Sequence, residues 1–262
     1  MTPTLVCSPL PWSVPLDVSR NRLRTCADGR AARRHQPLEL FAGDGQERDR
    51  RSPRRGTRSC REIASRLGVP IKYVPFKSPG ELADAAGTGV WDIGLIGAEP
   101  QRAEKIVFTA AYCEIEATYL VPAGSKLRTI ADVDASGVRI AVTARSAYGL
   151  WLDRNIKHAT LVRTDTLDSA YEQFARDKLE ALAGLLPRLL TDVEKLPGAR
   201  IIDGKFTAVQ QAVGTSPKNK AAAAYLRGFV EEAKSSGLVA KLIARHNVRG
   251  LSVAPKVSHQ LR

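Results

Sequence analysis

From about Arg61 to the end of the chain, strand-like and helix-like stretches alternate, and that rhythm constrains the fold more than any single residue. R-E-I-A-S-R-L-G sets Ile63, Ala64 and Leu67 on one helical face and closes with Gly68, a residue type favoured just past a helix end. V-P-I-K-Y-V-P-F reads as a strand, E-L-A-D-A-A as a helix, and V-W-D-I-G-L-I as the near-continuous apolar run of a buried parallel strand. After A-T-Y-L-V-P the exchange continues: helix-like T-I-A-D-V, the strand V-R-I-A-V-T, the helix A-Y-G-L-W-L-D-R-N, the strand A-T-L-V-R and the helix L-D-S-A-Y-E-Q-F-A-R-D. The strand L-E-A-L-A-G, an apolar helix and the long helices A-A-A-A-Y-L-R-G-F-V-E-E-A-K and L-V-A-K-L-I-A-R-H complete it. Such alternation predicts an α/β fold with mainly parallel pairing.

With 262 residues there is enough chain for one large domain or two lobes. The 44% hydrophobic and 26% charged content is that of a globular protein, and no apolar run approaches the roughly 20 residues of a membrane span. The net charge of +13 raises nucleic acid as a partner, but its distribution argues against it. Residues 61–262 carry only +7 of it with both signs interspersed, as on a solvated surface, so no nucleic-acid partner is expected. Cys7, Cys26, Cys60 and Cys113 lack metal-ligand spacing and no cofactor motif is present, so neither metal nor cofactor is expected, and the redox compartment stays open. The opening M-T-P-T-L-V-C-S-P-L-P-W-S-V-P has no basic start and no uninterrupted apolar run, so it does not read as a secretory signal.

Residues 1–60 obey a different grammar. They hold twelve Arg, no Lys and six acids, with scattered proline and no strand alternation. A native disordered basic arm is one reading. The other is translation out of frame from GC-rich DNA. H-Q-P-L-E-L-F-A-G-D-G-Q-E-R-D-R-R-S-P can be encoded so that a one-nucleotide shift reads I-N-L-S-N-F-S-L-V-T-G-K-S-E-T-G-E-A. That shifted text is a strand and a polar Gly turn, the unit missing ahead of R-E-I-A-S-R-L-G, and it favours the frameshift.

In order and spacing, residues 61–253 resemble the family 3 extracellular solute-binding proteins, the periplasmic receptors of polar amino acid ABC transporters. V-W-D-I-G-L-I-G-A-E-P-Q-R-A-E-K-I-V-F-T-A-A-Y is similar to their most characteristic segment, R-I-A-V-T-A-R-S-A-Y-G to the strand and loop opening the second lobe, and K-A-A-A-A-Y-L-R-G-F-V-E-E-A-K-S-S-G-L-V-A-K-L-I-A-R-H to the closing helices. The resemblance implies a two-lobed type 2 periplasmic binding fold with a hinge and a ligand cleft between the lobes. Lobe 1 would be residues 61–121 plus 205–262, lobe 2 residues 122–204, and residues 1–60 an irregular, arginine-rich addition. It also implies a monomer in the periplasm, a small carboxylated solute and a membrane permease that reads the closed form.

Spacing alone leaves Arg102 a helix-surface residue; the resemblance, with Arg102 six residues before Phe108, turns it into the cleft. There a planar guanidinium can grip a carboxylate through two parallel hydrogen bonds, which a lysine cannot. Ser146, at a helix start, offers a hydroxyl and free backbone N–H groups to the same anion, or serves as a plain N-cap, or both. Gly97 and Ala98 would offer backbone groups from the strand end. Replacing Arg102 by Ala is expected to abolish binding with the ligand-free melting temperature nearly unchanged.

Several positions depart from the family. Leu185 stands nearest the place of the aspartate that holds a ligand ammonium, Arg145 stands where Gly is usual, and Arg188 lies close to the missing acid. These extra cations suggest a dicarboxylate, keto acid or other organic anion. An enzyme of the same fold, such as a cyclohexadienyl dehydratase-like lyase, is the rival reading, with Glu99, Glu114 and Glu116 as candidate acids. His158 and His246 show no partner spacing, Trp91 and Trp151 read as packing residues, and catalysis is not expected. Nucleic-acid binding through residues 1–60 is a third reading.

Overall fold

The computed structural model describes residues 26–28, 58–69 and 73–256. Its elements run in chain order as β1 (Cys26–Asp28), α1 (Arg58–Arg66), β2 (Tyr73–Pro75), α2 (Pro79–Asp84), β3 (Ile93–Gly97), α3 (Pro100–Ala103) and β4 (Val107–Val121). There follow β5 (Arg139–Thr143), α4 (Ala147–Asn155), β6 (Thr160–Thr164), α5 (Leu167–Arg176), β7 (Ala181–Leu185), α6 (Leu186–Val193) and β8 (Arg200–Ile201). Last come β9 (Thr207–Thr215), α7 (Lys220–Ser235), α8 (Leu238–His246) and β10 (Leu251–Val253). T-I-A-D-V, expected to be helix-like, forms only a 3-10 turn at Ala131–Val133.

The strands share one sheet in the order β2-β1-β3-β9-β4-β7-β5-β6, with β8 and β10 also paired to β4. The outer groups are parallel, β1 with β2 and β3, β5 with β6 and β7. The middle corrects the expectation of mainly parallel pairing: β3 with β9, β9 with β4 and β4 with β7 are antiparallel. β4, 15 residues long, runs through that middle. It pairs with β9 over Val107–Ala117, then with β7 over Ala117–Leu120, and so ties two halves of the molecule together.

Cys26–Asp28 pairs in parallel on both sides, Cys26 opposite Tyr73 and Ile93. This corrects the reading of residues 1–60 as free of strands: a short stretch of them fills the sheet position between β2 and β3. The arginine-rich segment behind the frameshift reading lies outside the described residues. The first helix begins at Arg58, and Cys60 on it is buried and disulfide-bonded.

Local chemistry sets the element ends. Gly68 takes φ +62°, the left-handed conformation that glycine adopts without penalty, and Val69 N–H returns to Ala64 O at 3.0 Å. Thr166 and Ser169 cap α5 reciprocally. The core is built by periodic faces: Leu226, Phe229, Val230 and Ala233 line one side of α7 and are buried with Ile115 and Ala117 of β4. Full burial of such a leucine or phenylalanine contributes about 1.5–3 kcal/mol. Trp91 and Trp151 pack as expected, Trp91 donating to Leu82 O at 3.1 Å and Trp151 tilted against Phe206.

Candidate binding cleft

Arg102 emerges from α3, a one-turn helix that Pro100 starts just after β3 ends at Gly97. Its side chain runs inward and is only 5% exposed. Nη1 donates to Gly97 O at 2.7 Å and Nη2 to Arg145 O at 2.7 Å. The two carbonyls belong to different halves of the molecule, one at the end of β3 and one in the turn between β5 and α4. Burial pulls the Arg102 pKa down to about 10, against the attraction of Glu99 and reinforced by Arg145. No carboxylate is hydrogen-bonded to it among the described residues.

Arg145 sits at φ +58°, which explains why glycine is the easier residue there. Its guanidinium crosses between the halves and grips Asp84, the last residue of α2, at 2.7 and 2.6 Å. The fork holds the Asp84 carboxyl below its ordinary range, and Asp84 raises Arg145 in turn. A second crossing pair joins Arg154 of α4 to Glu99 at 2.8 Å, the Glu99 side chain being 11% exposed. Glu99, a candidate acid from sequence, is thus half of a contact across the seam. At the seam the backbones approach closely, for a Cβ built on Gly97 would lie 2.8 Å from Ala147 Cβ.

Beside the seam lies a cavity of about 330 Å³ whose lining includes Gly80, Asp84, Arg102, Glu104, Lys105 and Arg145. Of the residues singled out from sequence, Gly97, Arg102 and Arg145 therefore meet at one place. Ala98 is committed through its backbone, its N–H donating to Gln210 O at 2.7 Å. Ser146 donates through Oγ to Thr143 O at 2.7 Å and accepts from Gly149 N at 3.0 Å, so its hydroxyl serves the N-cap.

Leu185 ends β7 opposite Ala117 and packs at the edge of the main core. Arg188 corrects the picture of two free cations. It is 6% exposed and bonded to Asp192 at 2.7 Å and Asp168 at 2.9 Å. Burial works against its charge, but the two acids outweigh burial and its pKa is raised. With Arg145 also neutralised, by Asp84, the charge argument for a dicarboxylate loses its basis.

The acids weighed for catalysis are engaged outside the cavity. Glu114 accepts from Gln210 at 3.1 Å, Glu116 meets Lys205 at 3.4 Å, and Glu99 is held by Arg154. Among the described residues no three His, Cys, Asp or Glu side chains converge as a metal site requires. Sequence reasoning missed Asp84, Gly80 and Arg154. Their partners are 61, 65 and 55 positions away, so no local spacing could have shown them.

The family model for bacterial extracellular solute-binding proteins, family 3, matches residues 57–248, and the chain belongs to that family. No curated protein matches the sequence. Similar solved structures include the P235GK mutant of ArgBP from T. maritima, 19% identical, TM-score 0.67, covering 89% of this chain and 98% of that one. Another is a putative ABC transporter binding component from Wolinella succinogenes DSM 1740 complexed with lysine, 18% identical, TM-score 0.68, covering 85% and 94%. A third is an ancestral amino acid-binding protein, AncCDT-1, a precursor of cyclohexadienyl dehydratase, 17% identical, TM-score 0.67, covering 89% and 99%. At these identities the likeness establishes the two-lobed fold, and the family establishes a solute-binding role.

Proposed function

We propose that the protein is the substrate-binding component of an ABC-type uptake transporter and holds a small carboxylated solute between lobe 1 (residues 61–121 plus 205–262) and lobe 2 (residues 122–204). The observation that carries this is Arg102, a buried guanidinium between the two halves that, among the described residues, bonds only to carbonyl oxygens. A desolvated cation without an anion is costly, and a ligand carboxylate supplies the missing charge with better geometry than a neutral carbonyl. Closure then depends on the solute, and a monomeric closed form is what a membrane permease engages. The disulfide at Cys60 fits an oxidising, extracytoplasmic compartment.

The test is titration calorimetry of the full chain with a panel of small carboxylates, comparing wild type with Arg102→Lys. Lysine keeps the charge but cannot reach both partners, and the expected loss is at least about tenfold in affinity. Equal affinity in the two proteins refutes the site. Lysine is chosen over alanine because Arg102 ties both halves together. Arg102→Ala would therefore also lower the ligand-free melting temperature, contrary to the expectation from sequence.

A further inference from the structure

Arg145 makes two contacts that together have the outline of a bound solute. Its carbonyl oxygen accepts from Arg102 Nη2 at 2.7 Å, as a ligand carboxylate would. Its guanidinium makes the fork to Asp84 at 2.7 and 2.6 Å, as the cationic end of a ligand would. Between these ends the side chain lies over Gly80, where a Cβ would come within 3.2 Å of Arg145 Cβ, and both Arg145 and Asp84 line the cavity. The backbone holds this pose at φ +58°, a conformation costly for a residue with a side chain.

We propose that Arg145 is a built-in competitor, and that the solute it stands in for carries a carboxylate and a guanidinium at the spacing found in arginine, with Asp84 receiving the guanidinium. This rests on the carboxylate reading of Arg102. The chemical reason is one of identity: from carbonyl carbon to guanidinium, an arginyl residue and a free guanidino acid are the same chain of atoms. A solute of that kind satisfies Arg102 and Asp84 at once, after hinge opening releases the Arg145 carbonyl and its guanidinium swings out. Leu185 supplies no acid for an α-ammonium, so the des-amino compound 5-guanidinopentanoate is the simplest probe.

The experiment measures 5-guanidinopentanoate and pentanoate binding by calorimetry to the wild-type full chain, Arg145→Gly and Asp84→Asn. Glycine suits the positive φ, so Arg145→Gly removes the competing side chain while relieving strain. The Arg145–Asp84 pair is exposed, so the expected result is binding of 5-guanidinopentanoate about twofold to fivefold tighter in Arg145→Gly than in wild type. In Asp84→Asn its affinity should fall to that of pentanoate. If Arg145→Gly leaves the affinity unchanged, or Asp84→Asn still prefers the guanidino acid, the inference is overturned while carboxylate recognition by Arg102 stands. If neither carboxylate binds any of the three proteins, the carboxylate reading fails and this inference with it. Should Arg145→Gly melt well below wild type, Arg145→Ala serves in its place with the same expected gain.

Discussion

Substituting Gly97 by alanine puts one methyl group into a tight approach between the two halves. Its Cβ would sit 2.8 Å from Ala147 Cβ and 2.8 Å from Val209 Cγ1. Carbon atoms rest at about 3.5 Å or more, so each neighbour must withdraw by about 0.7 Å. Val209 is fixed in β9 by pairing opposite Ile115 of β4, whereas Ala147 starts α4 on the other side of the seam. The seam therefore yields first, and the 2.7 Å bond from Arg102 to Arg145 O stretches to about 3.4 Å, the limit of a useful hydrogen bond. Overpacking of this kind costs about 1–3 kcal/mol, and each kcal/mol lowers Tm by about 2–4 °C at this chain length. The assay is the distance distribution between spin labels at Thr88 and Lys157, exposed positions on opposite halves, together with a melting curve. Gly97→Ala should shift the population towards longer distances and lower Tm by about 2 °C or more. Gly214→Ala, whose Cβ would meet Ile106 Cγ2 within one half, should lower Tm without changing that distance. A wild-type distance distribution and Tm in Gly97→Ala would refute the tight seam.

Arg188→Ala leaves Asp192, 1% exposed, with Lys195 as its remaining ion-pair partner; the expected loss is about 3 kcal/mol in urea unfolding, with solute affinity changed less than twofold. Burial pulls the Arg102 pKa down to about 10, below that of a free guanidinium. The folded state thus sheds the proton first, and the cost of burying the charge is relieved as pH rises above about 10. Carboxylate affinity should be flat below that window and fall as pH passes 10, read by calorimetry across the range. Deleting residues 1–57 removes β1 and leaves β2 and β3 without the strand between them. Each ladder group left buried and unpaired costs about 1–3 kcal/mol, so the shortened chain should melt lower than the full chain and aggregate sooner.

The sequence by itself determined the order of the elements, because strand and helix periods are local. Ile63, Ala64 and Leu67 on one face, the apolar run of β3, the Ser146 cap and the Gly68 stop can all be read within a few residues. Arg102 was reached through the resemblance of its segment to the family, since its spacing alone reads as a helix-surface residue. Only the tertiary structure decided the antiparallel middle of the sheet, because β9 meets β4 from about a hundred residues away and leaves no periodic trace of its direction. It also decided what each charge does. Arg145 and Arg188 look alike in the sequence, yet one crosses the cleft to Asp84 and the other is buried between Asp168 and Asp192. The partner of a charged side chain is set by where the backbone brings an opposite charge within hydrogen-bond reach, and in the cleft that is a property of two halves closing on each other.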